Sequence, residues 1–366
     1  VILNDLSPAS FEAQGCAELG ADAAEVRKLF AAIHGRKGAC ARGEATDALA
    51  TVRAVRRVVL DAAARAELPR LEVVGRVTSP RDGFTRYLFA GSDGAKFEAV
   101  RIPLPCVTDG APVPERLARH PHYVVCVSSQ VGCALGCAFC ATGKLGFTRN
   151  LATWEIVEQL RIVRAEADRP VRGVVFMGMG EPMLNYDRVM AAAEIFSSPA
   201  GYAISADRIT VSTAGVVPGI RRFTAENRPY RLAVSLGAAT SKKRRQVMPI
   251  EETWPLSELI AAVRDHQAAR GSRAMLAWVA IEGFNVGESD ARELAELCSG
   301  LPTRLDLIDV ADPDGVFRPP SPESLASFRQ SLQILGQPVV RRYSGGRDID
   351  AGCGMLAARD IGGATS

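Results

Sequence analysis

The stretch CVSSQVGCALGCAFCATGKLGF, from Cys126 to Phe147, holds four of the chain's nine cysteines within fifteen residues. Thiols gathered so closely serve as disulfide staples, zinc ligands, iron–sulfur ligands or redox nucleophiles. An odd and clustered set in a chain of 366 residues does not make a disulfide framework. Cys133, Cys137 and Cys140 follow a C-x3-C-x2-C spacing, too tight for pairing with one another but suited to wrapping one inorganic cluster. A structural zinc would need a fourth Cys or His at matching spacing, and His34, His120, His122 and His266 offer no such pair. A 4Fe-4S cluster held by three thiolates leaves one iron open to a cofactor or substrate. Phe139, just before the last of the three, fits the same reading.

The surrounding elements must position these thiols. From His122 onward, apolar segments such as YVVCVSS, GVVFMGM, RITVSTAG, RLAVSLG, AMLAWVAI and RLDLIDV alternate with helical stretches, the pattern of parallel βα units. Six such strands predict an α/β fold, either an open doubly wound sheet or a partial (β/α) barrel, with the ligand site at the strands' C-terminal ends. The chemistry-bearing residues do follow strands. Cys133 to Cys140 follow the first, and Gly180-Glu181-Pro182 follows the second. Residues 1–70 read as a small N-terminal helical domain. Residues 71–121, broken by RDG and SDG, read as a short antiparallel β extension, residues 122–356 as the main domain and 357–366 as a tail.

Hydrophobic residues make up 47% and charged residues 23% of the chain, with a net charge of +3, an ordinary globular composition that permits a nucleic-acid partner without demanding one. No apolar run reaches eighteen residues and no signal-peptide pattern opens the chain, so the expected location is cytoplasmic, with no membrane association. The clusters Lys242–Arg245 and Arg341–Arg347 are candidate phosphate contacts. Cys16, Cys40, Cys106 and Cys298 lack ligand spacing and read as small buried hydrophobes.

Taken together, CVSSQVGCALGCAFC, GMGEPMLN, ITVSTAGVVPGI, LAVSLGA, MPI, RPPSPE and DIDAGCGML resemble, in order and spacing, the RlmN/Cfr family of radical S-adenosylmethionine methylases, from about Leu71 to Leu356. The resemblance implies a partial (β/α) radical-SAM barrel, a 4Fe-4S cluster on Cys133, Cys137 and Cys140, and two S-adenosylmethionine molecules per turnover. It implies methylation of carbon 2 or 8 of an adenine in ribosomal or transfer RNA, an electron donor such as flavodoxin or ferredoxin, and a monomeric enzyme. Cys353 matches the cysteine that becomes S-methylated, Cys126 the one that releases product by forming a disulfide with it, and Glu98 the acceptor of the ring proton. An sp2 carbon of adenine is not nucleophilic, which is why the methyl group travels on a cysteine and is activated there as a radical. Cofactor contacts are implied for Phe139, Gly180, Glu181, Ser212, Ser235, Leu236, Gly237 and Ala311.

Three positions depart from the family pattern. Gly237 stands where the family usually has His, Ala311 or Asp312 where it has a cofactor-touching Asn, and Gly345-Gly346-Arg347 where it more often reads Arg-Gly-Asp. These departures motivate an alternative, a paralogue using the same chemistry on a small molecule or peptide. A third reading, an RNA-binding protein with a structural metal, would leave Cys353 without a role.

Overall fold

The computed structural model describes residues 2–35, 49, 52–66, 68–105, 120–312 and 314–359. Cys40, Cys106 and the segment 360–366 lie outside them. A single ten-stranded sheet runs through the molecule. In chain order its strands are β1 (Glu72–Thr78), β2 (Thr85–Ala90), β3 (Lys96–Leu104), β4 (His122–Cys126), β7 (Val171–Phe176), β8 (Ile209–Thr213), β9 (Arg231–Ser235), β10 (Ala274–Ala280), β11 (Thr303–Asp309) and β12 (Val339–Arg342), and they lie side by side in that order. A two-stranded ribbon, β5 (Gln130–Gly132) with β6 (Phe147–Asn150), branches off after β4.

From β4 through β12 every sheet pairing is parallel, whereas β1 to β4 pair antiparallel. The sheet is open, a partial barrel. All six expected parallel strands are present, and β12 is a seventh. It escaped sequence reading because it is four residues long and two of them are arginines. The antiparallel strands are continuous with the parallel sheet rather than a separate linker, since Val100 of β3 lies opposite Cys126 of β4. A near-continuous apolar strand such as β10 is what a sheet covered on both faces requires.

Helices return the chain between strands: α4 (Ala141–Lys144), α5 (Thr153–Ala165), α6 (Tyr186–Ser197), α7 (Val217–Ala225), α8 (Ser241–Val247), α9 (Leu256–Arg270), α10 (Glu288–Leu297) and α11 (Pro322–Ser331). Three helices precede the sheet: α1 (Pro8–Leu19), α2 (Ala23–His34) and α3 (Arg57–Ala64). Asp22 starts α2 with a capping box, its Oδ1 accepting from the Ala24 and Glu25 amides while Glu25 Oε2 accepts from the Asp22 amide. This helical start is fastened to the barrel. Asp5 Oδ1 accepts from the Trp154 amide at the N-terminus of α5 (2.9 Å), and Arg70 pairs with the buried Glu158 of the same helix (2.8 Å).

Candidate active site

The chain leaves β4 directly after Cys126, so the strand expected over YVVCVSS is shorter than its sequence suggests, and Cys126, Ser128 and Gln130 part company. Only Cys126 is in the sheet, Ser128 lies in a connecting turn and Gln130 begins the ribbon. Each then acts through a hydrogen bond. Ser128 Oγ donates to the Glu98 carbonyl (2.5 Å) and accepts from the Met179 amide (2.8 Å). Gln130 Oε1 accepts from the Glu181 amide (2.8 Å), and its Nε2 donates to Asn150 Oδ1 (2.8 Å). Asn185 Nδ2 reaches the Ser129 and Leu151 carbonyls (2.8 and 2.9 Å). Together these side chains hold the loop after β7 against the one after β4.

Cys133, Cys137 and Cys140 lie half-buried on the loop between β5 and α4, none in a disulfide. Burial, with the charges of Glu181 and the neighbouring thiols, pushes Cys133 up to about 12 and Cys137 further still, so an electropositive partner is needed to hold them as thiolates. Among the described residues no three His, Cys, Asp or Glu side chains gather as the ligands of one metal ion. A cubane cluster, which offers a separate iron to each thiolate, does not require them to converge on one point, and the donor set fits it.

Glu181 is buried in the loop after β7. Its Oε2 accepts from the Ala214 amide (2.8 Å) and its Oε1 from the Met183 amide (3.0 Å). Burial outweighs these bonds and lifts its pKa to about 7, the state of a carboxylate without a counter-cation. Ser212 and Ser235, half-buried, lie on the last turns of β8 and β9, with the buried Leu236 following, and Gly180 lies against the Gln130 side chain. These residues share the C-terminal rim of the sheet with the cysteine loop, as expected for a ligand site in this fold. Phe139 is half-buried in the cysteine loop itself.

The three sequence departures have local causes. Gly237 has φ +72°, a conformation that strains any side chain, and a Cβ there would lie 2.5 Å from Met248 Sδ, so the methionine would have to give way. Asp312 is committed to its own loop, accepting from the Val316 and Phe317 amides and from Lys144 Nζ (2.9 Å). That leaves the buried Ala311, which packs behind the Cys353 loop at Gly352 and Gly354. Gly345 fits under Phe84, where a Cβ would lie 2.5 Å from the ring and 2.6 Å from Asp82 Oδ2.

Cys353 is exposed on a loop bracketed from two sides. On one, the β1–β2 turn holds it: Asp82 Oδ2 accepts from the Gly346 amide (2.8 Å) and the Tyr343 hydroxyl (3.0 Å), and Ser79 Oγ donates to Asp348 (3.0 Å). On the other, Gly354 O accepts from the Ala141 amide (2.7 Å), Leu356 O from the Thr142 hydroxyl (2.6 Å), and Glu98 Oε2 from the Ala357 and Ala358 amides (3.0 and 3.1 Å). Glu98 is fully buried and paired with Arg86 (3.0 Å). Burial still raises its pKa. Cys126, buried on β4, has a pKa pushed up to about 12, first by burial and then by the charge of Cys353, with a backbone hydrogen bond at Met177 and Arg342 of β12 opposing the shift.

A Gly345→Ala substitution is expected to destabilise the protein by about 1–3 kcal/mol, because the added methyl must displace Phe84 or Asp82. Thermal unfolding checks this. A change below half a kcal/mol would mean that the loop is not held by the turn.

Neither basic cluster presents a row of free cations. In Lys242–Arg245, Lys243 pairs with Asp290 (2.6 Å), Arg244 with Glu251 (2.6 Å) and Arg245 with Glu252. In Arg341–Arg347, Arg341 pairs with Asp309 (2.7 Å), Arg342 lies 3.6 Å from Asp306, and Arg347 donates to two backbone carbonyls. Arg244, fully buried, is therefore structural, whereas the exposed Lys242 and Arg245 stand open to a phosphate. Cys298 is buried, as expected of a small hydrophobe, while Cys16 is half-buried. Sequence reading missed Asp82, Asn185 and the joining role of Arg244, whose partners are distant in sequence.

A partial barrel with three thiols on the loop after its first parallel strand and a buried Gly-Glu-Pro glutamate after the second defines a radical S-adenosylmethionine enzyme. Residues 127–290 match the Radical SAM superfamily model. The chain is 51% identical to a "Probable RNA methyltransferase" of Myxococcus xanthus, over 99% of this chain and 95% of that one. It is 38% identical to a "Dual-specificity RNA methyltransferase RlmN" of Syntrophobacter fumaroxidans, over 93% of each. The crystal structure of a radical SAM methyltransferase from Sphaerobacter thermophilus superposes with a TM-score of 0.84 at 35% identity, covering 98% of this chain and all of that one. The chain belongs to the RlmN-type family of radical SAM RNA methyltransferases. Its cofactors are accordingly a 4Fe-4S cluster and S-adenosylmethionine. Among the described residues no helix is long and apolar enough to cross a membrane.

Proposed function

We propose that this enzyme methylates carbon 2 or 8 of an adenine in ribosomal or transfer RNA, with the methyl group carried on Cys353. The observation that carries the reading is the placement of two non-cluster thiols at the same strand rim as the cysteine loop and Glu181. Cys353 is exposed and held on a tethered loop, and Cys126 is buried at the end of β4, near enough for the charge of Cys353 to raise its pKa. Cys133, Cys137 and Cys140 hold the cluster, which supplies one-electron cleavage of S-adenosylmethionine. Glu181 receives the cofactor's ammonium, and Phe139, Gly180, Ser212, Ser235, Leu236, Gly237 and Ala311 line its place. Two cofactor molecules serve each turnover, one as methyl donor to the Cys353 thiolate and one for the radical step.

Glu98 takes the ring proton. Burial makes it a stronger base than a surface carboxylate, and its Oε2 becomes available once the Ala357 and Ala358 amides let go. Once the adduct has also given up one electron, the Cys126 thiolate attacks the Cys353 sulfur: the S–S bond forms as the carbon–sulfur bond breaks, and its electron pair stays on the product carbon, which takes up a proton to become the methyl group. Thiols reduce the disulfide left behind, and an electron donor such as flavodoxin or ferredoxin supplies the electron for cofactor cleavage. Full-length likeness to relatives named RNA methyltransferases favours RNA over the small-molecule or peptide alternative.

The test is incubation of anaerobically reconstituted enzyme with S-adenosylmethionine, a one-electron reductant, and unmodified ribosomal RNA or transfer RNA in separate reactions, followed by mass spectrometry of the nucleosides. Methyladenosine with the methyl on a ring carbon is expected. Turnover of cofactor with no carbon-methylated nucleoside from either RNA would sink the proposal.

A further inference from the structure

We propose that Arg244 is a positioning residue which pins three cofactor-holding strand ends to one another. The inference rests on the reading that those ends hold S-adenosylmethionine. Arg244 and its partner Glu251 are both fully buried. A buried ion pair is a poor source of stability, because desolvating two charges offsets most of their attraction and well-packed apolar residues often do as well. What distinguishes this pair is where the guanidinium points.

Nη1 meets Glu251 Oε2 (2.6 Å), Nε donates to the Leu236 carbonyl (3.0 Å) and Nη2 to the Ala214 carbonyl (2.5 Å). Leu236 follows β9. Ala214 follows β8, and its own amide donates to Glu181 Oε2 (2.8 Å) in the loop after β7. One peptide unit away from Arg244's contact, therefore, lies the carboxylate assigned to the cofactor's ammonium. The helix that carries Arg244, α8, also reaches the cysteine loop, where the Ala138 amide donates to the Val247 carbonyl (2.9 Å). Glu251 is itself fixed by the Leu256 amide at the start of α9 (3.0 Å).

The arrangement needs arginine. A planar fork donates in three fixed directions to a carboxylate and two carbonyls at once, whereas a lysine ammonium is a compact charge on a flexible stem that cannot span them. If stability were the purpose, two apolar residues would serve. If register between loops is the purpose, they would not, because they leave the Leu236 and Ala214 carbonyls unguided.

The experiment compares four forms of the full chain, reconstituted anaerobically with iron and sulfide: the parent, Arg244→Lys, the double variant Arg244→Met with Glu251→Leu, and Arg245→Ala as a control at the neighbouring exposed arginine. Equilibrium dialysis with radiolabelled S-adenosylmethionine gives the dissociation constant, iron content and thermal midpoint report cluster and fold, and the EPR signal of the reduced cluster is recorded with and without cofactor. The expected result is an iron content near the parent's for the double variant, with a melting midpoint lowered only as far as the unpaired Leu236 and Ala214 carbonyls require, at least tenfold weaker cofactor binding in it and in Arg244→Lys, and a diminished EPR response to cofactor. Arg245→Ala should bind within twofold of the parent. Binding within twofold of the parent in both Arg244 forms would overturn the inference. So would a loss of binding that only tracks lost iron and a lowered midpoint, since Arg244 would then be an element of the fold. A parent that binds no cofactor would instead overturn the reading underneath.

Discussion

Cys126→Ala is expected to accumulate a covalent protein–RNA adduct and to release methylated product at less than about a thousandth of the parent rate, as loss of a covalent-catalysis group commonly costs. Cys353→Ala is expected to be equally inactive but to form no adduct. The asymmetry follows from the positions of the two thiols. Cys353 is exposed on its tethered loop and is the sulfur that an incoming base can reach. Cys126 is buried on β4 with its pKa pushed up to about 12, so it is protonated and inert until the adduct places a reactive sulfur beside it. Denaturing gel electrophoresis with labelled RNA, together with mass spectrometry of the Cys353 peptide, separates the cases. Methyl-Cys353 should appear in the parent. A Cys126→Ala protein that turns over normally, or a Cys353→Ala protein that still methylates RNA, would remove these thiols from the mechanism.

The second large effect concerns Glu181. Its carboxyl is raised from 4.5 to about 7 by burial. A group whose pKa is higher in the folded state favours the fold while protonated, and that contribution is lost as pH rises from about 4.5 through 7. A cofactor ammonium placed against the carboxylate reverses the balance, so binding draws the proton off. Affinity for S-adenosylmethionine should therefore weaken about tenfold between pH 7.5 and pH 6, as the ionised fraction of a group titrating near 7 falls. The α-amino group of the cofactor only gains protonation over that interval, so it cannot cause the loss. Glu181→Gln should bind on the order of a hundredfold more weakly at pH 7.5, the scale of a lost charge-assisted contact in a buried site, and its affinity should no longer fall with acidification. Titration calorimetry at the two pH values reads both. A pH-dependent decline that survives in Glu181→Gln would assign the ammonium to another group.

Different kinds of information fixed different parts of this molecule. Local spacing was enough for the cysteine loop, because three thiols within eight residues have few ways to meet a ligand other than together, and because alternating apolar strands and helices leave little besides a parallel α/β sheet. The Gly-Glu-Pro turn was legible for the same reason. Its residues act where the chain puts them. Short β12 was not, since two arginines in four residues break the apolar signal of a strand that its neighbour β11 then completes.

The basic run at Lys242–Arg245 shows the limit from the other side. Sequence offers four adjacent cations and no means of counting their partners. Glu251 and Asp290, supplied by later turns of chain, neutralise two of them, and the interior then turns Arg244 into a link between loops. The role of Glu98 was likewise open to a resemblance alone, while its burial against Arg86 depends on the pairing of β2 with β3 and its hold on Ala357 and Ala358 on contacts some 260 residues apart. Which residues carry reactive groups is a property of the sequence, written in residue type and spacing. Whether each group is charged, partnered, buried or reachable is set by desolvation and long-range packing, and those exist only once the chain has folded.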